Sequence, residues 1–299
     1  MSEHLRRVQV VGLDVRVSVR TGTEPGPPLL LCNGIGASFD LLQPFVDEVD
    51  PRVEVVRFDV PGVGGSPVSP VPYTFPALAW FVGKLMTRLG YAEFDVLGIS
   101  WGGGLAQQLA FHNPRRCRRL VLVSTATGSL MVPANPLVLG KMITPRRYRD
   151  PEYARSIAAQ LYGGRMRDEP DLARRLLHDQ SRVGAWRGYL MQLLAGIGWT
   201  SLPALPLIRQ RTLILAGNDD PIIPLVNARI MHRLLPHATV HVYDDGHIGL
   251  VTQADQLGPI VSRFILEPGD ARLRATDSGA GTRPDDPPDG LGRGGLKRM

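Results

Sequence analysis

The pentapeptide Gly98-Ile99-Ser100-Trp101-Gly102 constrains the fold of this chain more than any other feature. An apolar run at 94–97 precedes it and is typical of a buried strand, and a helical pattern follows from Gly103. A serine between such a strand and helix occupies a sharp, strained turn that only small neighbouring residues permit. Its hydroxyl then projects above the sheet. The pattern therefore predicts both a nucleophile, Ser100, and the sheet that carries it.

The rest of the chain alternates between short apolar runs and helical patterns. A hairpin-like alternation at 8–19 comes first, and the predicted strands that follow lie at 29–32, 53–58, 120–123, 212–215 and 239–243. The predicted helices lie at 75–89, 103–112, 225–235 and 254–265. Strands separated by helices form a mostly parallel sheet with helices on both faces, so the predicted fold class is α/β. Active groups in such sheets lie at the carboxyl ends of the strands.

Two segments interrupt this alternation. Residues 129–205 show helical patterns with Pro and Gly punctuation and no convincing strand. This predicts a helical cap inserted between a first core part, 1–128, and a second core part, 206–266. Residues 267–299 contain almost no large apolar side chain, so they bury too little surface to offset the entropy of the chain. We expect this tail to be disordered.

The net charge of +6 is concentrated in the predicted cap, where residues 129–200 contain eleven Lys or Arg and six Asp or Glu. These charges lack aromatic interleaving, and the chain has no recognised nucleic-acid-binding module, so nucleic acid is not an expected partner. Two interpretations stay open. The arginines form solvated helix faces, or they form a basic surface for an anionic partner or a coated particle.

Other composition features narrow the class of protein. The two cysteines, Cys32 and Cys117, do not form a disulfide framework. The N-terminus has no apolar core of signal-peptide length, and no apolar stretch approaches the length of a membrane span. We therefore expect a soluble cytoplasmic protein. Metal-binding motifs are absent from the sequence, so neither a metal nor another cofactor is expected. The Gly-rich loop at 59–66 lacks the ending of a phosphate loop, and we expect a tight loop beside the site.

A serine nucleophile requires a base, and the base requires an acid that orients it. Among the seven histidines, His247 is the preferred base, because it lies in a loop after the predicted strand at 239–243 and therefore at the carboxyl edge of the sheet. The acid is expected after the preceding strand, where Asp219 and Asp220 are adjacent. Asp220 is preferred because the Pro-Ile-Ile-Pro run that follows would fix its backbone, and Asp219 would then shape the turn. Ser100, Asp220 and His247 occur in the order associated with this type of turn.

Backbone N–H groups near the serine are needed to stabilise a negatively charged tetrahedral intermediate. One expected donor is the N–H of Trp101, which follows the nucleophile. The second is expected in the loop Asn33-Gly34-Ile35-Gly36 after an early strand, and we assign it to Ile35. Glycines on both sides of Ile35 let the backbone approach a substrate closely. A plain turn is the alternative interpretation of this loop.

Seven short segments in the predicted core and cap carry a resemblance to a known family. They lie at 58–66, 100–103, 106–108, 145–148, 161–164, 195–201 and 244–247. Together with the acid turn and the Asn-Gly-Ile-Gly loop, they resemble the α/β-hydrolase superfamily. Within it, they resemble the intracellular medium-chain-length poly(3-hydroxyalkanoate) depolymerases of bacteria. The resemblance covers residues 5–266, including the cap. Many superfamily members have His where Asn33 stands, and the tail lies outside the resemblance.

The resemblance implies an α/β-hydrolase fold with a helical cap, and an esterase with Ser100 as nucleophile, Asp220 as acid and His247 as base. The implied reaction cleaves stored intracellular polyester or its oligomers through an acyl-enzyme. The implied partner is a polyester granule surface or a small ester, in the cytoplasm and with or without granule attachment. The residues expected to contact substrate are Asn33, Gly34, Met131, Met142 and Ile248. Apolar cap residues near Met131 and Met142 would line an acyl-binding cleft or simply pack the cap onto the core.

Three functions stay open at this stage. The first is a polyester depolymerase, and the second is a small-molecule carboxylesterase, lactonase or carbon–carbon bond hydrolase with the same triad. The third is a non-catalytic granule-binding or receptor protein on a hydrolase scaffold, which an intact triad and oxyanion loop argue against. The oligomeric state and the side-chain length of the substrate are left open.

Overall fold

In a computed structural model, the chain is described over residues 2–144, 146, 150–169, 172 and 186–268. The predicted disordered tail therefore lies almost entirely outside the described residues, as do three positions of the 145–148 segment. Residues Met1–Leu266 form one compact unit. No helix in the described ranges is long and apolar enough to cross a membrane.

An eight-stranded sheet forms the centre of this unit, in the order β1-β2-β4-β3-β5-β6-β7-β8. The first two strands form an antiparallel hairpin, and β2 also pairs antiparallel with β4. All pairings from β4 through β8 are parallel. The predicted mostly parallel α/β sheet is therefore confirmed. The strands are β1 Glu3–Val10, β2 Leu13–Arg20, β3 Leu29–Cys32, β4 Val55–Phe58, β5 Phe94–Ile99, β6 Cys117–Val123, β7 Arg211–Gly217 and β8 Ala238–Tyr243.

Helices connect the parallel strands and cover both faces of the sheet. Successive residues of a strand point to opposite faces, so β3 contributes Leu30 to one core and Leu29 and Leu31 to the other. Helices α2 and α3 pack on the Leu30 face, and α1 and α10 pack on the opposite face. The helices are α1 Gln43–Glu48, α2 Phe75–Arg88, α3 Trp101–His112, α4 Pro136–Ile143, α5 Pro151–Tyr162, α6 Arg165–Asp168, α7 Trp186–Gly196, α8 Val226–Leu234, α9 Gly249–Thr252 and α10 Ala254–Leu266, with short 3-10 helices at Phe39–Leu42 and Leu205–Leu207.

Between β6 and β7 the described part of the chain contains helices α4 through α7, with non-helical residues before α4 and after α7. An isolated antiparallel bridge joins Gly128 to Thr200, so the two ends of this segment lie together on the core. We refer to residues 129–205 as the cap segment. Its boundaries, and those of the core parts on either side, stay a prediction.

Candidate active site

Ser100 lies in a strained turn between β5 and α3. Its backbone has φ 55 and ψ −122, and residues with a side chain rarely adopt a positive φ. The flanking glycines are needed because there is no room for a Cβ. A Cβ on Gly98 would lie 2.2 Å from the Gly102 carbonyl oxygen, and one on Gly102 would lie 2.1 Å from the Cys32 oxygen. The glycines of the pentapeptide therefore permit the turn that presents Ser100.

The backbone of Ser100 is fixed by hydrogen bonds to β6, to the residues that follow β6, and to the first turn of α3. Its N–H donates to the Val123 carbonyl at 2.9 Å. Its carbonyl accepts from the Gly103 N–H at 2.9 Å and from Thr125 Oγ1 at 2.7 Å. These contacts fix both the N–H and the carbonyl of the strained residue. The position from which the Ser100 hydroxyl extends is therefore fixed as well.

The side chains of Ser100, His247 and Asp220 form one continuous hydrogen-bonded chain. His247 Nε2 lies 2.9 Å from Ser100 Oγ, and His247 Nδ1 lies 2.8 Å from Asp220 Oδ2. The other carboxylate oxygen, Oδ1, accepts the N–H groups of Ile222 and Ile223, each at 2.9 Å. A carboxylate only accepts, so this network assigns the imidazole proton to Nδ1 and leaves Nε2 to accept from the serine hydroxyl. The His247 and Asp220 side chains are 6% and 1% exposed.

Asp219, the alternative acid, points elsewhere. Its carboxylate accepts the Gly164 N–H at 2.7 Å and forms an ion pair with Arg167 at 2.8 Å. Both partners belong to the cap segment. Asp219 therefore binds the cap, whereas its neighbour Asp220 binds the imidazole.

The turn between α5 and α6 packs directly on the loop that carries His247. The His247 N–H donates to the Tyr162 carbonyl at 2.7 Å, and the Tyr162 and His247 rings stack with centroids 6.5 Å apart. The following glycines have φ +66 and +49. A Cβ on Gly163 would lie 2.2 Å from the Asp219 carbonyl oxygen, and one on Gly164 would lie 2.0 Å from Asp245 Oδ1. This close approach explains the Gly-Gly pair of the 161–164 segment.

Hydrogen bonds of Asp245 and Tyr243 fix the loop that carries His247. Asp245 accepts the Arg165 N–H at 2.8 Å and Thr252 Oγ1 at 2.6 Å. The Tyr243 hydroxyl lies 2.7 Å from Ser124 Oγ and donates to the Gly246 carbonyl at 3.3 Å. Burial raises the pKa of the Tyr243 phenol, so this group stays a neutral donor. The loop is thus fixed on both sides of His247.

The Asn33–Gly36 loop runs beside the serine because Cys32 pairs in parallel register with Gly98. A Cβ on Gly34 would lie 3.7 Å from Ser100 Cβ. The buried Asn33 amide donates to the Ser38 carbonyl at 2.6 Å and accepts the Gly34 N–H at 2.8 Å. Both partners lie within five positions of Asn33 along the chain, so this side chain shapes the loop and its exit, and its predicted contact with substrate stays a prediction.

The two expected oxyanion donors belong to two segments that meet at Ser100. Ile35 belongs to the loop beside Ser100, and Trp101 follows Ser100 as the first residue of α3. Within the described residues, neither the Ile35 N–H nor the Trp101 N–H has a hydrogen-bond acceptor. Both N–H groups therefore keep an unused donor, and their role as oxyanion donors stays a prediction.

Two of the predicted apolar substrate contacts, Met142 and Ile248, pack against apolar neighbours. Met142 packs in a small cluster with Ile157, Leu161 and Ile222, which joins the cap to the acid turn. Ile248, next to the histidine, is buried against Ala158 and Met166 of the cap. Met131 is half-buried at the start of the cap segment. Their contact with a substrate stays a prediction.

Gln192 on α7 is a contact residue that the sequence interpretation missed. It is 1% exposed, and its Oε1 accepts the Gly36 N–H at 2.7 Å. Its backbone carbonyl accepts the indole Nε1–H of Trp101 at 2.9 Å. A single polar side chain within the apolar run 188–197 was the only sequence signal for this role. In the described ranges, no cluster of three or more His, Cys, Asp or Glu is arranged to hold a metal.

Comparisons with known proteins agree with this architecture. The sequence pattern of the alpha/beta hydrolase fold family matches residues 27–254. The poly(3-hydroxyalkanoate) depolymerase of Ectopseudomonas oleovorans is 46% identical over 263 residues, which span 88% of this chain and 92% of that protein. The 3-oxoadipate enol-lactonase 2 of Acinetobacter baylyi is 26% identical, over 80% of this chain and 89% of its own length.

A solved structure shows the same fold. The enol-lactonase from Burkholderia xenovorans LB400 superposes with a TM-score of 0.76 and 22% identity, over 87% of this chain and 100% of that chain. The sheet order, the family match and the similarity to the depolymerase lead to one conclusion. This chain belongs to the alpha/beta hydrolase fold family, and within it is a relative of a poly(3-hydroxyalkanoate) depolymerase.

Proposed function

We propose that this hydrolase cleaves the ester bonds of a poly(3-hydroxyalkanoate) polyester or its oligomers through an acyl-enzyme on Ser100. The observation that carries the proposal is the hydrogen-bonded chain from Ser100 Oγ through His247 to Asp220, with distances of 2.9 and 2.8 Å. A nucleophile, a base and an orienting acid within hydrogen-bond reach are what acyl transfer requires. The N–H groups of Ile35 and Trp101 stabilise the negative charge of the tetrahedral intermediate.

The first half of the reaction forms the acyl-enzyme. His247 Nε2 removes the proton from Ser100 Oγ while this oxygen attacks the ester carbonyl carbon. The carbonyl oxygen becomes an oxyanion and accepts hydrogen bonds from the N–H groups of Ile35 and Trp101. His247 then donates its proton to the leaving alkoxide oxygen, which departs as the hydroxyl end of the shortened polymer.

The second half releases the acid. His247 removes a proton from a water molecule, whose oxygen attacks the acyl carbon and forms a second oxyanion in the same place. When this intermediate collapses, Ser100 Oγ leaves and recovers the proton from His247. Asp220 stays ionised throughout and stabilises the imidazolium. The products are a 3-hydroxy acid or its oligomer and the regenerated enzyme.

Polyester is the proposed substrate because the similarity to the depolymerase extends over nearly the whole of both chains, including the cap segment. We propose that the cap segment lines the substrate cleft, so a match there bears on substrate more than a match in the sheet. A soluble ester or lactone is the second candidate. The similarity to enol-lactonases supports it, since the same triad can open a lactone. A non-catalytic role does not account for the intact hydrogen-bonded chain at Ser100.

The test compares purified wild-type protein with the Ser100→Ala variant. We expect the wild type to release 3-hydroxy acids from suspended polyhydroxyoctanoate granules and to hydrolyse p-nitrophenyl octanoate, and Ser100→Ala to lose both activities. A fluorophosphonate probe should label the wild type at Ser100 only. Activity on soluble esters or lactones without release from granules would instead favour the second candidate. Unchanged turnover by Ser100→Ala would refute the catalytic assignment.

A further inference from the structure

Gln192 joins the cap to both segments that carry the proposed oxyanion donors. Its side-chain oxygen accepts the Gly36 N–H at 2.7 Å, and its main-chain carbonyl accepts the Trp101 indole at 2.9 Å. Gly36 follows the donor Ile35, and Trp101 is itself the second donor. One residue of α7 thus contacts the two sides of the site, although 156 positions separate Gln192 from Gly36.

The loop needs such a contact because two glycines make it easy to rotate. The Ala37 N–H bonds the Gly34 carbonyl at 3.3 Å, which is a long hydrogen bond. In a trans peptide the carbonyl and the next N–H point in opposite directions, so this bond sets the direction of the Ile35 N–H. The adjoining peptide, between Ile35 and Gly36, is held by Gln192 Oε1. Gly36 has φ +72, and glycine adopts both signs of φ at low cost.

Loss of the Gln192 acceptor would therefore free the peptide plane next to the donor. The Gly36 N–H would lose its buried partner and would have to turn toward another acceptor. Such a rotation changes ψ of Ile35 and φ of Gly36 and so moves Ala37 relative to the Gly34 carbonyl. The long bond between these two groups would weaken, and the peptide that carries the Ile35 N–H would then be free to turn. A donor acts on the oxyanion only when it points at the position where the charge develops.

We propose that Gln192 is a positioning residue that orients the oxyanion-binding N–H of Ile35. The position of cap helix α7 against the core would then control kcat. This role rests on the proposed function. The residue acts through Gly36 and Trp101. The expected signature is a loss in the transition state with little change in the binding of the ester.

The test replaces Gln192 with Met, which has a similar length and cannot accept the Gly36 N–H with comparable strength. With p-nitrophenyl octanoate, we expect kcat of Gln192→Met to fall by about tenfold or more while KM stays within about threefold. Rates are normalised to the fraction of protein that a fluorophosphonate labels at Ser100. Gln160→Met is the matched control, since it makes the same exchange at an exposed position of cap helix α5 that bonds Lys141.

An inhibitor separates positioning from a structural role. An alkyl trifluoromethyl ketone forms a tetrahedral adduct with the serine that carries an oxyanion, so its inhibition constant reports on the hole itself. We expect this constant to rise by the same factor by which kcat/KM falls. A merely structural role would lower the labelled fraction or the melting temperature and leave the constant per labelled site unchanged.

A second variant covers the case in which Gln192→Met does not fold. Trp101→Phe keeps the backbone N–H and an aromatic ring against Phe75 but removes the indole donor to α7. We expect the same parallel loss in kcat/KM and inhibitor binding, smaller in size. Unchanged kcat in Gln192→Met, or in Trp101→Phe where Gln192→Met does not fold, would overturn the positioning role, as would a rise in KM alone. Absence of ester hydrolysis and labelling in the wild type would instead overturn the proposed function.

Discussion

Replacing Asp220 with Asn tests whether the orientation of one side chain controls the proposed base. Asp220 Oδ1 accepts two backbone N–H groups, from Ile222 and Ile223, each at 2.9 Å. An amide at this position keeps its oxygen toward those two donors, so its NH2 group faces His247 Nδ1. Since an amide nitrogen only donates, Nδ1 must become the acceptor and Nε2 must carry the proton. The imidazole can then no longer accept the proton of Ser100.

The structure gives the size of this effect. Reversing the amide would point its NH2 at two N–H donors and leave both unpaired, at a cost of about 1–3 kcal/mol each. The productive orientation therefore lies about 2–6 kcal/mol above the unproductive one. Each 1.36 kcal/mol corresponds to a factor of ten in rate, so we expect kcat to fall between about 30-fold and about 3 × 10⁴-fold.

The assay is the initial rate of p-nitrophenyl octanoate hydrolysis, with the fold checked by circular dichroism. Asp219→Asn is the matched control, because Asp219 carries the same group at the next position but bonds Gly164 and Arg167. We expect Asp219→Asn to keep kcat within about threefold and to melt at a slightly lower temperature. The reasoning is refuted if Asp220→Asn keeps its kcat within about tenfold, or if both variants lose the same activity.

Three further substitutions test contacts around the site. Gly102→Ala should prevent folding, because its Cβ would lie 2.1 Å from the Cys32 oxygen, and soluble expression with circular dichroism will show it. Gly164→Ala should lower the melting temperature by several degrees and reduce kcat, since it combines φ +49 with a Cβ 2.0 Å from Asp245 Oδ1. Thr125→Val removes the donor to the Ser100 carbonyl, and kcat should fall about fivefold for a loss of about 1 kcal/mol.

Each of these expectations has a contrary result. A folded, active Gly102→Ala protein would mean that the turn has more space than described. A Gly164→Ala variant with wild-type melting and kcat would separate the cap turn from the histidine loop. Wild-type kcat in Thr125→Val would leave the Ser100 carbonyl contact without a catalytic consequence.

The parts of the site that could be predicted depend on local chemistry. The strained turn at Ser100 requires glycines at fixed neighbouring positions, so the pentapeptide alone predicts it. The preference for Asp220 came from the Pro-Ile-Ile-Pro run, and the N–H groups of those isoleucines hold its carboxylate. The alternation of strands and helices likewise reflects residue periodicity within each element, and the parallel sheet follows from it.

The parts that could not be predicted depend on packing between distant elements. Gln192 bonds a residue 156 positions away, and no pattern within α7 identifies its partner. The use of Asp219 as an anchor for Gly164 is similar, because its role depends on where the cap turn lies in space. Asn33 could be placed in the loop beside the serine, but its internal bonds become visible only in three dimensions.

The contacts between cap and core bear on how this enzyme could be re-engineered. Three of the contacts between cap and core join Tyr162 to His247, Gly164 to Asp219, and Gln192 to Gly36. Each of these contacts involves a loop that also presents a proposed reacting group or its neighbour. A cap grafted from a distant relative would therefore have to reproduce all three junctions or lose activity together with specificity. Substitutions on cap side chains away from these junctions are the more promising route to a new substrate range.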